Sequence, residues 1–144
     1  MFRVTRRYQF AASHRLHAAS LSAEENRRLY GKCNNPFGHG HNYVLEVSAR
    51  GPADPATGSA VDARHLDALV AREVLVPFEH RNLNCDVEAF RHAVPTSELL
   101  AAEICRRLQR AWPAAFPGAW PRLESVRIAE TARNIFEMDA HEVQ

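Results

Sequence analysis

The chain has one lysine, Lys32, among eighteen basic residues. Against seventeen acidic residues this leaves a formal net charge of +1. Such a field does not gather polyanions non-specifically, so nucleic acid is not an expected partner. No apolar run approaches the roughly 20 residues that span a bilayer, and no membrane association is expected. The opening Met1-Phe-Arg-Val-Thr-Arg-Arg-Tyr8 lacks the apolar core of a secretory signal. Cysteine is scarce: Cys33, Cys85 and Cys105 are odd in number and show no metal-type pairing. That argues against a disulfide scaffold and for a reducing, cytoplasmic setting. Repeats, low-complexity tracts and linkers are missing, so the 144 residues read as a single domain, 1–144, long enough to bury a core.

Histidine, by contrast, is plentiful, with eight in the chain. Phe2, Val4, Tyr8 and Phe10 alternate with polar residues, and Ala12 and His14 continue the parity, which predicts a first strand. Ser22-Ala-Glu-Glu25 is a capping box opening a short helix that stops at Gly31. Tyr43, Leu45, Val47 and Ala49 mark a second strand. Beyond the turn-rich stretch 51–58, Asp62 caps a helix with Leu66, Leu69, Val70 and Val74 on one face, ended by Pro77. Residues 78–95 show no period and read as a long ordered loop, a place where function often lies. Thr96 caps a second long helix carrying Leu100, Ile104, Leu108 and Trp112, and 113–121 reads as a loop. Val126, Ile128 and Glu130 belong to a third strand, Phe136 and Met138 to a fourth. The order strand, strand, helix, helix, strand, strand predicts an α+β fold: an antiparallel four-stranded sheet with two helices packed on one face.

Gly38-His39-Gly40-His41 stands at the mouth of the second strand. Residues i and i+2 of a strand share a face, so both imidazoles reach one point. His14 lies at the far end of the first strand, and antiparallel pairing brings that end beside them. Three neutral imidazoles suit zinc, and three protein ligands leave a fourth position open, the mark of a catalytic site. A His-x-His pair alone is a modest signal, which the third histidine strengthens. His17 is a rival third ligand, although its parity turns it away from His14 and a surface role is the plainer reading. His65, His92 and His141 read as surface or helix-face residues.

The stretches Phe10-Ala-Ala-Ser-His14-Arg-Leu and Tyr30-Gly-Lys-Cys33-Asn-Asn-Pro-Phe-Gly-His39-Gly-His41-Asn-Tyr43 resemble the 6-pyruvoyl-tetrahydropterin synthase family. The likeness continues through His80-Arg-Asn-Leu83-Asn, Pro95-Thr-Ser-Glu98 and Glu130-Thr131, in order along nearly the whole chain. It implies a tunnelling fold, in which three subunits close their sheets into a barrel and two trimers stack as a homohexamer. It also implies a substrate, 7,8-dihydroneopterin triphosphate, and zinc at His14, His39 and His41. Relatives that make 6-carboxy-tetrahydropterin for queuosine and deazapurine synthesis usually carry Cys-x3-His-Gly-His. Here five residues separate Cys33 from His39, which favours the pyruvoyl product.

The same resemblance assigns roles. Cys33 is the candidate base, with neighbouring Lys32 and the zinc favouring its thiolate. His80 is its acid/base partner, since imidazole titrates near neutrality. The family sets an aspartate just before that histidine; this chain has Glu79, which keeps the charge and changes the reach. Glu130 matches the pterin anchor, whose carboxylate accepts two hydrogen bonds from the guanidine-like edge of the ring. Thr96 and Ser97 are candidate pterin contacts, although Thr96 serves equally as a helix cap. Arg15, Arg81 and Arg133 are candidates for the triphosphate by proximity to the motifs. Glu130 lies far from Cys33 in the chain, which would fit a site shared between subunits. Cys85 and Cys105 read as buried, inert fillers. Two readings of another class stay open: a zinc- and pterin-binding module without turnover, and a zinc hydrolase. The hydrolase lacks a His-Glu-x-x-His helix.

Overall fold

The computed structural model describes residues 1–142. It opens with β1 (Phe2–His14). Helix α1 (Ala23–Tyr30) begins where the Ser22 hydroxyl accepts the Glu25 amide, and it stops at Gly31, whose φ of 54° suits a residue without Cβ. Strand β2 (His39–Gly51) then runs antiparallel to β1, with Phe10 opposite Tyr43, Ala12 opposite His41 and His14 opposite His39. Asp62 caps α2 (Ala63–Val70), which continues through a wide π-helical turn at Ala71–Leu75 into α3 (Val76–Phe78). Pro77 therefore lies inside the helix rather than ending it. Proline lacks an amide hydrogen and crowds the preceding turn, and the π-helical stretch is wider there.

Residues 78–95 hold more structure than a loop: β3 (Arg81–Asn82), α4 (Leu83–Asp86) and a turn of 3-10 helix at Glu88–Phe90. The long helix α5 (Ser97–Ala115) passes through Pro113 in its last turn. Strands β4 (Arg122–Ala129) and β5 (Ile135–Asp139) complete the chain's sheet. The sheet has five strands, not four, in the order β3-β1-β2-β4-β5. The extra strand is a two-residue parallel pairing of Arg81 and Asn82 with Ala12 and Ser13, too short to leave a period-2 signature.

One face of the sheet is apolar. Tyr43, Leu45, Val47, Val126 and Ile128 pack there against Leu66, Leu69, Val70 and Val74 of the α2 segment and Leu100, Ile104 and Leu108 of α5. The opposite face carries Glu46 between Arg7 and Arg127. Among the described residues no helix is long and apolar enough to cross a membrane.

Buried and half-buried asparagines hold the loops that lead to the site. Asn26 accepts the Ala18 amide (2.8 Å) and donates to the carbonyls of Ala18, Leu21 and Ser22. Asn34 donates to the Leu16 carbonyl (2.7 Å), and Asn84 brackets the backbone N–H and C=O of Arg15. Buried polar backbone needs such partners in place of water. Replacing Asn26 by alanine is expected to lower unfolding stability by about 1–3 kcal/mol, read as a lower midpoint in urea at unchanged slope.

Candidate functional site

The β1–β2 register sets His14 opposite His39 at the end of the ladder, with His41 one step inward, opposite Ala12. All three imidazoles lie on the helix-facing side. His14 is fully buried, and its Nδ1 donates to the Pro95 carbonyl at 2.9 Å. That bond fixes the tautomer and leaves the Nε2 lone pair for a ligand, the usual outer support of a metal-bound histidine. The Nε2 atoms of His14 and His41 are 3.1 Å apart.

Cys33 follows α1 on a 3-10 turn (Gly31–Asn34), and the Leu16 amide donates to its carbonyl at 2.7 Å. Its Sγ lies 3.0 Å from His39 Nε2 and 3.9 Å from His41 Nε2. Ligand atoms of His14, Cys33, His39 and His41 all fall within 4.8 Å of one another. The donor set fits a metal ion. Burial pushes the imidazoles of His14 and His41 toward the neutral form that ligates, against the pull of Glu130. The chemistry allows two arrangements: three imidazoles with Cys33 free, or Cys33 as a fourth ligand.

Glu130 follows directly on β4, in parity with Val126 and Ile128, and reaches the same cluster. Its Oε1 is 2.8 Å from His41 Nε2, and the Cys33 thiol faces it at 3.9 Å. Its Oε2 accepts the Ser97 hydroxyl at 2.6 Å. Glu130 and Cys33 thus meet within one chain, so their separation in sequence is no sign of a shared site. The start of α5 supplies several supports at once. The Pro95 carbonyl holds His14, Thr96 caps the helix through the Leu99 amide, and Ser97 holds Glu130. A carboxylate is also favoured at a helix N-terminus by the peptide dipoles.

The Cys33 thiol is pushed up, first by burial and then by the Glu130 carboxylate. Lys32 is exposed and does not lower it. The expected help from that lysine is not present in this structure. Cys85 is exposed on α4 rather than buried, whereas Cys105 is buried and pushed up to about 11 by desolvation.

Glu79 and His80 stand apart from the cluster. Glu79 Oε2 accepts the Ala11 amide (3.0 Å) and its Oε1 lies 3.0 Å from His80 Nε2. The longer carboxylate therefore reaches the imidazole from an anchor on the β1 backbone. His80 has φ 57°, an uncommon region for a non-glycine residue. Its amide donates to the Ala11 carbonyl, and its side chain is 81% exposed. It lines a cavity of about 460 Å³ with Ser13, Gly40, His41 and Asn42. No hydrogen bond or ion pair joins it to Cys33 among the described residues. His17 is exposed and accepts from Asn34, outside the metal-type cluster. The asparagine clamps, the Pro95 carbonyl and the Ser97–Glu130 bond escaped sequence reasoning. The Asn34 and Asn84 positions stand inside recognisable motifs, but their partners are set by tertiary contact.

The family described as 6-pyruvoyl tetrahydropterin synthase matches residues 3–141 of the chain. The chain is 44% identical over 132 residues to the 6-pyruvoyl tetrahydrobiopterin synthase of Poecilia reticulata, covering 92% of this chain and 86% of the relative. It is 42% identical over 132 residues to that of Homo sapiens, covering 92% and 87%. The structure of Caenorhabditis elegans 6-pyruvoyl tetrahydropterin synthase superposes with a TM-score of 0.84 at 40% identity, covering 96% of this chain and 94% of that one.

Gly38 offers a direct probe of the cluster. Its φ is 68°, and a Cβ there would stand 2.5 Å from the His14 carbonyl oxygen. Gly58 has φ 75° with open space around it. Gly58→Ala is expected to cost about 1–2 kcal/mol of backbone strain and leave the metal content of the purified chain unchanged. Gly38→Ala is expected to cost more and to lower the metal content per chain, measured by metal analysis after gel filtration.

Proposed function

We propose that this chain, which belongs to the 6-pyruvoyl tetrahydropterin synthase family, converts 7,8-dihydroneopterin triphosphate to 6-pyruvoyl-tetrahydropterin with loss of triphosphate. The observation that carries this reading is the meeting of Cys33 and Glu130 beside three converging imidazoles. The identity of 42–44% to relatives bearing that activity in their names supports the pyruvoyl product over the carboxy product.

In this reading Glu130 orients the pterin by accepting two hydrogen bonds from its guanidine-like edge, with Ser97 steadying the carboxylate. His14, His39 and His41 hold zinc. When bound, zinc supplies Lewis acidity to the side-chain hydroxyls and a positive charge beside the Cys33 thiol, whose proton burial otherwise retains. Cys33 then removes protons from the side-chain carbons, and His80, oriented by Glu79, returns them. The redox change is internal. The hydroxyl-bearing carbon next to the ring is oxidised to a carbonyl and its two electrons reduce the ring. The next carbon loses its proton as triphosphate leaves the terminal carbon, and the enol so formed takes up a proton to become the second carbonyl and a methyl group. No outside oxidant is required.

His80 is exposed and, among the described residues, has no hydrogen bond or ion pair with Cys33 of its own chain. That favours a reading in which it serves the Cys33 of a neighbouring copy, in a homo-oligomer, a trimer or a dimer of trimers. An exposed acid/base group with an anchored orienting carboxylate is of little use facing solvent, but fits a site completed by a second chain.

The product assay is direct: zinc-loaded protein is incubated with dihydroneopterin triphosphate and the product is weighed by mass spectrometry. The pyruvoyl mass is expected; the carboxy mass, or unchanged substrate, would contradict the assignment. His39→Ala is expected to lose zinc and turnover together, whereas Cys33→Ala should keep zinc and fold and lose turnover. For the shared site, inactive Cys33→Ala and His80→Ala chains are refolded together. Activity is expected to return in the mixture, and a mixture as inactive as its parents would place both residues in one chain's site.

A further inference from the structure

The turn-rich stretch that follows β2 walls one side of a cavity of about 680 Å³. This cavity lies at the other end of the sheet from the metal-type cluster. His39 opens β2 and Gly51 closes it, about 40 Å further along a thirteen-residue strand. Gly51 is where two walls of the cavity meet. A Cβ there would stand 3.3 Å from the Ala60 carbonyl oxygen and 3.4 Å from Pro121 Cα. Ala60 and Pro121 both line the cavity, as do Phe116 and Trp120. Its volume falls in the range of small-molecule sites, about 300–1,000 Å³.

The loop wall is preformed. The Asp54 amide donates to the Ser59 carbonyl at 3.0 Å, and the Gly58 amide to the Asp54 carbonyl at 2.7 Å. Pro52 and Pro55 fix their own φ angles. A wall built this way needs little further ordering when a ligand arrives. Three charged side chains line the cavity: Asp54, Asp62 and Arg64. Asp62 caps α2 and pairs with Arg64 at 3.5 Å. Asp54 enters no ion pair among the described residues. Its Oδ1 accepts the Ala56 amide at 2.7 Å, which fixes the carboxylate. Its Oδ2 accepts no hydrogen bond from any described residue.

Trp120 supplies a flat surface and is 39% exposed. The Arg122 guanidinium sits over its ring, 4.5 Å from the centroid. Arg122 lines a smaller cavity of about 230 Å³ together with Trp120, and has no part in the larger one. The indole therefore stands between two cavities, with this cation on the side of the smaller. A fixed carboxylate and an aromatic ring in one cavity select a flat ring bearing paired N–H donors on one edge. The ring stacks on the indole, and the donors meet the carboxylate oxygens. A 2-amino-4-oxopyrimidine edge, common to guanine and pterin rings, carries that pair as a ring N–H and an exocyclic amino group. We propose that this cavity binds such a heterocycle, at a site separate from Glu130 and independent of the reaction described above.

Guanosine and neopterin are the probes, each titrated calorimetrically into the intact Glu130→Gln protein, which lacks the other site's carboxylate. At least one is expected to bind, and the tighter of the two identifies the ring system. Inosine, which has the ring N–H without the 2-amino group, is expected to bind at least about tenfold more weakly than guanosine. Asp54→Asn and Trp120→Leu, each added to that protein, are expected to weaken binding at least about tenfold. Asp54→Asn keeps an oxygen for the Ala56 amide, so it decides the matter if Trp120→Leu fails to fold, as judged by thermal unfolding. In the chain with Glu130 intact, Asp54→Asn is expected to leave turnover unchanged. No binding of either probe, or binding that Asp54→Asn leaves unchanged, overturns the site. Equal binding of inosine and guanosine overturns the ligand class.

Discussion

Everything in the site depends on one register. Thirteen residues of β1 pair with thirteen of β2 so that His14 meets His39 and Ala12 meets His41. Because side chains alternate along a strand, a slip of one residue would send His39 and His41 to the polar face while His14 stayed in the core. The register is held by what shares that face. Phe10 stacks on Tyr43 at 5.1 Å and Leu45 and Val47 are fully buried. The apolar stripe that makes the core is therefore also what aligns the three imidazoles. Gly38, at positive φ against the His14 carbonyl, lets the chain enter β2 at that point.

A second constraint is charge in a confined place. Three imidazoles, a thiol and a carboxylate share a small, mostly buried volume. Desolvation favours the neutral imidazoles of His14 and His41 and a protonated Cys33 thiol, and the Glu130 carboxylate opposes the first and reinforces the second. Such a group of residues is stable when each polar atom has a partner. The N-terminus of α5 provides several, through the Pro95 carbonyl and the Ser97 hydroxyl. Long-range packing of α5 on the sheet thus reaches the chemistry directly: a shift of that helix would move His14 and Glu130 together.

Much of this was legible in the sequence because it is written in periods. The parity of Phe10, Ala12 and His14, of His39, His41 and Tyr43, and of Val126, Ile128 and Glu130 places each polar group on the core face at a strand end. Helix caps at Ser22, Asp62 and Thr96 were equally plain. What escaped depends on contacts between distant segments or on elements too short to show a period. β3 is two residues long. Pro77 and Pro113 read as helix stops, yet the chain passes both. The partners of Asn26, Asn34 and Asn84 are backbone groups that no spacing rule identifies. Cys85 sits on a four-residue helix whose exposed side a lone cysteine does not announce. The lack of any hydrogen bond or ion pair between His80 and Cys33 among the described residues is a tertiary fact, and it is what motivates the proposal of a site completed by a second copy.

The central claim is that three histidines hold the metal and leave Cys33 free to act as a base. X-ray absorption at the zinc edge of the purified protein tests it without reference to activity. The account predicts a first shell of three imidazole nitrogens and a light oxygen donor, with no sulfur. A sulfur scatterer at the thiolate distance of about 2.3 Å would make Cys33 a ligand, and would contradict it.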